Sequence, residues 1–525
     1  MGPIDMAACR RVQKEFKSRG LGLKMDAVKA VADFVVNSMH EEHEILQEIF
    51  AELDRKTLSS SILSKEVIDE VLSTLATGGD SGEDAFTFVE AFQMPKFDYD
   101  QVRKAFHQST AKLSIHADAK SKTALYRDRF TLLQQRVLRQ EAFTKPALGL
   151  KRAEDTQTAE LTPLQSLVGS TGTKYVLGFI SQLEDGRFFL EDSTTQILLD
   201  LSQVTKENVT TGLFTENSFV VVEGQVLPTG ELQVSNMGCP PVEDRETTYR
   251  LTGGLDFFGA GVIPLEKYES LREQEEAATE HSFMFFSDLH LDDDETFRRL
   301  ESTLATCQES NFVPSLFVLI GNFWSRPCNL ANHDYAHMRA QFKKLATTIA
   351  AFADVRDATQ FVFVPGPGDP GPANVVPRPP LPKFFTNEIS SLLPNAVFAS
   401  NPCRIRFYTQ EIVIFREDLL HKMRRACVVP PSEKETTDPF QQLAVTVLQQ
   451  SHLCPLPLQV QPIFWEYDHA LRLYPLPDVL VLADRAEQKE FVYENVVCFN
   501  PGSFANDSSF VIYRPAPREV ELNSL

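Results

Sequence analysis

The sequence predicts a multidomain α+β protein: an N-terminal helical bundle, a small β-barrel, and a layered αββα domain. Three observations carry that reading. Apolar residues recur at helical spacing through the first 76 residues, then alternate with period two between about 174 and 241. From about 251 onward, short apolar strands are separated by helix-length segments. A chain of 525 residues also exceeds what one hydrophobic core normally supports.

Residues 1–76 read as the helical domain. Val28, Val31, Ala32, Val35 and Met39 share one helical face, as do Ile45, Ile49 and Leu53, and then Val67, Val71 and Leu75. Ser59, Ser60 and Ser61 supply capping oxygens before the last of these helices, which suits a self-contained four-helix bundle. Residues 77–160 are expected to be a linker and a connecting helix. The run from Thr77 to Asp84 is rich in Gly and acid, and Tyr126, Phe130, Leu133 and Val137 mark an amphipathic helix over about 121–142.

Residues 161–250 hold five candidate strands, at Tyr175–Ile180, Arg187–Leu190, Gln196–Leu201, Phe219–Gly224 and Glu231–Val234. Asp185-Gly186 and Thr229-Gly230 are hairpin signals between them. Five short strands in one block suit an OB-fold. Single-stranded nucleic acid binding on such a barrel needs a positive groove with stacking platforms, yet this block carries Glu184, Asp185, Glu191, Asp192 and Asp200. Phe188 and Phe189 cannot both face the core, and a protein contact explains an exposed ring as well as a base does.

Residues 251–525 form the layered domain, with strands expected near 283–288, 316–320, 361–364, 397–399, 411–415 and 478–482. The first delivers Asp288 and His290 in a D-x-H spacing, which an extended strand places on one face. That pattern resembles the opening of the two-metal site of calcineurin-like phosphoesterases. The rest of the family's ligand set is missing. Asn322 stands where a bridging carboxylate belongs, and its neutral amide is a poor substitute. Pro367 and Gly368 replace an Asn-His pair before Asp369. Ala483, Asp484 and Ala486 replace the glycine and both histidines of the last motif, while His452 sits where active relatives place a metal histidine. The resemblance therefore implies an inactive phosphoesterase fold with vestigial positions and no metal, cofactor or catalytic residue. An active metal-dependent phosphodiesterase or nuclease is the alternative, and it would have to run on Asp288, His290, Asp369 and His452.

The acidic run Asp292 to Glu295 reads as a helix cap and first turn rather than as extra ligands. The loop 365–382 carries eight prolines, which forbid regular helix or strand.

Longer strings narrow the resemblance. Asn401-Pro-Cys-Arg-Ile405, Thr409 to Leu419, His452-Leu-Cys-Pro-Leu-Pro457 and Asn500-Pro-Gly-Ser-Phe504 resemble the B subunits of replicative DNA polymerases. Phe361 to Gly371, Pro377 to Leu381 and Trp465 to Pro475 look like the epsilon branch of that family. The family implies an accessory scaffold. Its partners would be the C-terminal domain of the polymerase epsilon catalytic subunit, the GINS component of the replicative helicase through residues 1–76, and small histone-fold subunits of the same complex. Localisation in the nucleus is likewise implied by the resemblance, since no basic import cluster stands out.

Composition agrees with a partner-binding role. With 51 basic against 72 acidic residues the formal charge is −21, so the whole chain repels phosphate and DNA contact is expected to be weak or indirect. Eight scattered cysteines form no C-x-x-C pair and read as reduced thiols. The N-terminus lacks a signal-peptide apolar run, Met6 stands where N-myristoylation wants Ser or Thr, and no stretch reaches the ~18 apolar residues of a membrane span.

Overall fold

The computed structural model describes residues 6–18 and 21–37, seven positions between 46 and 68, and residues 85–143, 159–328, 334–372 and 374–525. It divides into two compact units, Met1–Ala85 and Phe86–Leu525.

In the first unit, helices Met6–Ser18 and Met25–Asn37 bury Val12, Phe16, Val28 and Val31 against one another and against Ile49. The helical spacing gave no sign of the short parallel pairing of Gly22–Leu23 with Ile62–Leu63. The serine caps at 59–61, most of the later helices of the expected bundle and the tether 77–84 lie outside the described residues.

In the second unit, five strands close a barrel: Lys174–Glu184, Arg187–Glu191, Gln196–Asp200, Phe219–Val226 and Leu232–Gly238. The third and fifth pair in parallel and the other neighbours antiparallel. Asp185-Gly186 makes the first hairpin turn, with Gly186 at φ +74°, a conformation that glycine adopts without steric cost. Of the two adjacent rings, Phe188 packs on the barrel core.

The remaining chain builds two six-stranded sheets. The first runs Ala396–Phe398, Gln360–Val364, Leu316–Ile320, Phe283–Ser287, Ser509–Arg514 and Glu519–Ser524. The second runs Lys489–Tyr493, Val496–Asn500, Val479–Ala483, Gln410–Arg416, Cys403–Phe407 and Phe86–Glu90. Their central strands are apolar at nearly every position because both faces are covered. In Phe283–Ser287 the period of two sorts the rings: Met284 and Phe286 join the core under the helices, whereas Phe283 meets Phe407 at 5.0 Å and Phe285 meets Phe499 at 5.1 Å across the gap between sheets. Helices Asp294–Glu309, Tyr335–Ala350 and Lys383–Leu392 cover the first sheet, and Pro439–Gln449 covers the second. The layers are helix, sheet, sheet, helix.

One expectation needs correction. Residues 77–160 are more than a linker and a helix, since Phe86–Glu90 pairs antiparallel with Cys403–Phe407 as an edge of the second sheet. A hairpin, Phe97–Asp100 with Ala105–Gln108, follows it. A five-residue strand is too short to impose a visible period. The connecting helix spans Ala119–Val137, shorter than read from sequence, and is capped by Asp118, which accepts from the backbone N–H groups of Lys120 and Ser121.

This helix bridges barrel and sheets. Phe130, Leu133 and Val137 pack on Leu177 and Phe219 of the barrel. Arg129 forms a two-pronged ion pair with Asp468, and Arg136, fully buried, donates to Ser451 Oγ and to the carbonyls of Gln449 and Pro240. The cap Asp293 accepts from Glu295 N–H, so that acidic run serves a helix start as read.

We expect a chain beginning near Glu83 to keep the thermal stability of the body, and one beginning near Thr110 to lose it. The second deletion removes Val89, Ala91, Met94 and Phe97, all buried, which costs roughly 3–6 kcal/mol at typical burial values. Equal urea midpoints for the two truncations would show that the edge strand is dispensable.

Candidate functional site

The strand Phe283–Ser287 ends one residue before Asp288, whose φ of +56° lies in the left-handed region. The His290 N–H donates to the Asp288 carbonyl at 3.1 Å, closing a tight turn. The D-x-H is therefore not extended as the spacing suggested, and strand geometry does not align its two side chains.

Asp288 has other partners. Its Oδ1 accepts from Arg416 Nη2 at 2.8 Å, from the Asn322 backbone N–H at 3.0 Å and from Asn322 Nδ2 at 3.4 Å. Asn322 turns its amide oxygen to the Gly368 N–H, 2.7 Å away. Asp369 accepts from the N–H groups of Phe323 and Gly366, each at 2.7 Å. These loops approach so closely that a β-carbon at Gly321 would stand 1.9 Å from Asp369 Oδ2, which only glycine avoids.

Arg416 ends the strand Gln410–Arg416 and is fully buried. Besides Asp288 it donates to Asp418 Oδ1 at 2.8 Å, to the Gly321 carbonyl at 2.9 Å and to the Ala483 carbonyl at 3.2 Å. Asp288 and Gly321 follow strands of the first sheet, whereas Arg416 and Ala483 close strands of the second. Asn401 holds the Arg416 backbone from both sides, accepting its N–H and donating to its carbonyl. The guanidinium is thus a cation carried on the chain, placed among the positions where a metal-site reading of the sequence looks for ligands.

The remaining candidates are dispersed. Asp484 Oδ2 accepts from the Leu420 N–H at 2.8 Å, and Ala486 contributes only a carbonyl, to Asn500 Nδ2. Pro367 and Gly368 have no side-chain donor atom. His452 belongs to a different cluster: its Nδ1 accepts from Cys454 N–H, and its Nε2 faces Asp468 Oδ1 at 3.2 Å, the same carboxylate that Arg129 grips.

Burial and charge sort the carboxyl groups. Burial opposes ionisation of Asp288, but the Arg416 guanidinium outweighs it and holds the carboxyl below its usual range. Burial pushes Asp369 and Asp484 up to about 6, against the N–H groups that favour their anions. Burial, helped by Arg129, lowers His452 to about 4, so its imidazole is neutral at physiological pH.

These residues do not fit a pair of divalent cations. One carboxylate is neutralised by Arg416, the bridging position is an amide, and among the described residues no three His, Cys, Asp or Glu side chains are grouped to hold a metal ion. Sequence reading missed Arg416, Asn401 and Arg129. The available signal was an arginine closing the otherwise apolar Ile412-Val-Ile-Phe415, and two arginines seven apart on the buried stripe of one helix.

Comparison with known proteins covers nearly the whole chain. A family model described as the B subunit of DNA polymerase alpha/epsilon matches residues 283–493. One described as the DNA polymerase epsilon subunit 2-like OB-fold domain matches 119–241, and one for the N terminus of DNA polymerases epsilon matches 6–75. The chain is 45% identical over 522 residues to the DNA polymerase epsilon B subunit of Arabidopsis thaliana, covering 98% of each chain. It is 36% identical over 526 residues to DNA polymerase epsilon subunit 2 of Homo sapiens, again covering 98% of each. The corresponding B subunit of Schizosaccharomyces pombe is 32% identical over 488 residues, covering 89% of this chain and 80% of its own.

Two substitutions test the site. Arg416→Met leaves Asp288 buried without its cation and should cost about 3–5 kcal/mol in urea unfolding, more than half of it restored by adding Asp288→Asn. Asp484 has a folded pKa of about 6 against an ordinary 3.8, so its contribution is full at low pH and is lost as pH rises through 6. Asp484→Asn should therefore stabilise the protein on the order of 2 kcal/mol above pH 7 and change little near pH 4. A pH-independent effect would show that the carboxyl is not held protonated by its surroundings.

Proposed function

Because the chain belongs to the family of DNA polymerase epsilon B subunits, we propose that it is a non-catalytic scaffold joining that polymerase's catalytic subunit to the replicative helicase during nuclear DNA replication. Family membership makes it an accessory subunit of the polymerase. The observation that supports the absence of catalysis is the Arg416 guanidinium on Asp288, with the Asn322 amide beside it. A second reading, a metal-dependent phosphodiesterase on the same αββα phosphoesterase fold, must use Asp288, His290, Asp369 and His452. Asp288 and His452 are committed to different arginine-containing clusters, and Asp369 accepts only backbone N–H groups.

The body from Phe86 onward is one compact unit in which a bridging helix fixes barrel to sheets, which suits a rigid grip on the C-terminal domain of the catalytic subunit. The separate N-terminal unit, residues 1–76, is assigned to GINS in the helicase assembly. Small histone-fold subunits share the complex, and the overall charge of −21 leaves DNA contact weak or indirect.

The test has two arms. The purified chain with manganese should not hydrolyse a model phosphodiester or trim DNA ends; turnover abolished by His290→Ala would overturn the scaffold reading. In pull-downs, the body beginning near Glu83 should retain the catalytic subunit's C-terminal domain and residues 1–76 should retain GINS. Exchange of those two partners would reverse the assignment.

A further inference from the structure

The stretch 101–127 runs against the character of the chain. It holds six Lys and Arg residues against one acid, Asp118, a local charge of +5 in a protein of −21. Arg103, Lys104, Lys112, Lys120, Lys122 and Arg127 are all exposed. Arg103 approaches Asp100 at 3.7 Å, and among the described residues the other five form no ion pair. Lys120 and Arg127 lie with Ala124 along one stripe of the bridging helix.

Of these cations Lys112 and Arg127 reach two adjoining cavities, which the carboxylates of Asp98, Asp128, Glu466 and Asp468 also line. One, about 370 Å³, lies between the hairpin 97–108 and the helix and is lined by Tyr99, Gln101, Phe106 and Arg127. The other, about 120 Å³, is lined by Lys112, Ala124, Trp465 and His469. Asp128 and Arg472 line both.

Two features point to a partner. His469 is 4% exposed and its Nε2 contacts the Met94 carbonyl at 3.1 Å, yet its Nδ1 has no partner, nor has Arg472 Nε. Val102, at the hairpin tip, is 93% exposed and Ile115 is 49% exposed.

These features select a polypeptide over a nucleic acid. With Nε2–H donating to Met94, His469 Nδ1 is left an acceptor and Arg472 Nε a donor, both enclosed by the fold. Aliphatic Val102 and Ile115 suit apolar side chains. The rings of Tyr99 and Phe106 pack on one another at 4.9 Å, and Phe106 packs further on Phe257 and Tyr474, which engages the faces that bases would need. We infer that this surface docks an acidic, amphipathic segment of another polypeptide chain, with carboxylates on Lys104, Lys112, Lys120 and Arg127 and apolar side chains on Val102 and Ile115.

The experiment is zero-length carbodiimide cross-linking of the full-length protein in its purified native complex, read by mass spectrometry. Lys104, Lys112 or Lys120 should join to Asp or Glu of one identified acidic segment on a different chain. Reversing four exposed charges (Lys104→Glu, Lys112→Glu, Lys120→Glu, Arg127→Glu) should weaken retention of that chain by about tenfold or more at unchanged melting temperature, and Lys→Arg at the same three lysines should preserve it. Val102→Asp with Ile115→Asp should weaken it about fivefold. Cross-links confined to this chain's own carboxylates would overturn the inference, as would their absence. Tighter binding of a 20-nucleotide oligothymidylate than of the cross-linked segment, lost on the same charge reversal, would assign the surface to nucleic acid instead.

Discussion

A single buried guanidinium fixes the layered body. Removing an arginine from water costs several kcal/mol unless its donors are met, so the Arg416 side chain is tolerated only with its four acceptors in place. Those acceptors follow or close strands of both sheets, so one side chain sets the relation between Asp288, Gly321 and Ala483. The left-handed turn at Asp288 and the clamp of Asn401 on the Arg416 backbone then follow as conditions for that geometry.

The same device recurs where the barrel meets the sheets. Arg129 and Arg136 lie seven residues apart on the bridging helix, within a buried stripe whose apolar members pack on the barrel. Arg129 finds a carboxylate, whereas Arg136 is held by a hydroxyl and two carbonyls, and burial lowers it to about 10. Sliding of the barrel over the sheets would strand two buried cations. The two arginines therefore hold barrel and sheets in one fixed relation.

Much of this was legible in the sequence, and the part that was not has a common cause. The barrel strands and the six expected sheet strands lie near their observed places, because a period of two or an unbroken apolar run is a local signal, whereas the interior strands Cys403–Phe407, Val496–Asn500 and Ser509–Arg514 went unread. Phe86–Glu90 was hidden because its pairing partner, Cys403–Phe407, lies more than 300 residues away. Arg416 was hidden likewise: apart from nearby Asp418 its acceptors come from three distant stretches of chain, and only their convergence explains a charged residue ending an apolar strand. His452, expected as a vestigial position rather than a ligand, sits in a cluster of its own. Its sequence context matched a ligand position, but its lone pair is taken by Cys454 two residues on.

A charge argument accounts for the uneven state of the carboxyl groups around the seam. Two divalent cations would supply enough positive charge to hold several carboxylates ionised in one buried site. Arg416 supplies a single charge, and Asp288 and Asp418 contact it directly. Asp369 and Asp484, buried nearby without a direct ion pair, are left with backbone N–H groups, and both are pushed up to about 6. What decides whether an aspartate is a ligand is whether its lone pairs converge on a common point. Here they diverge, each toward the loop that it holds.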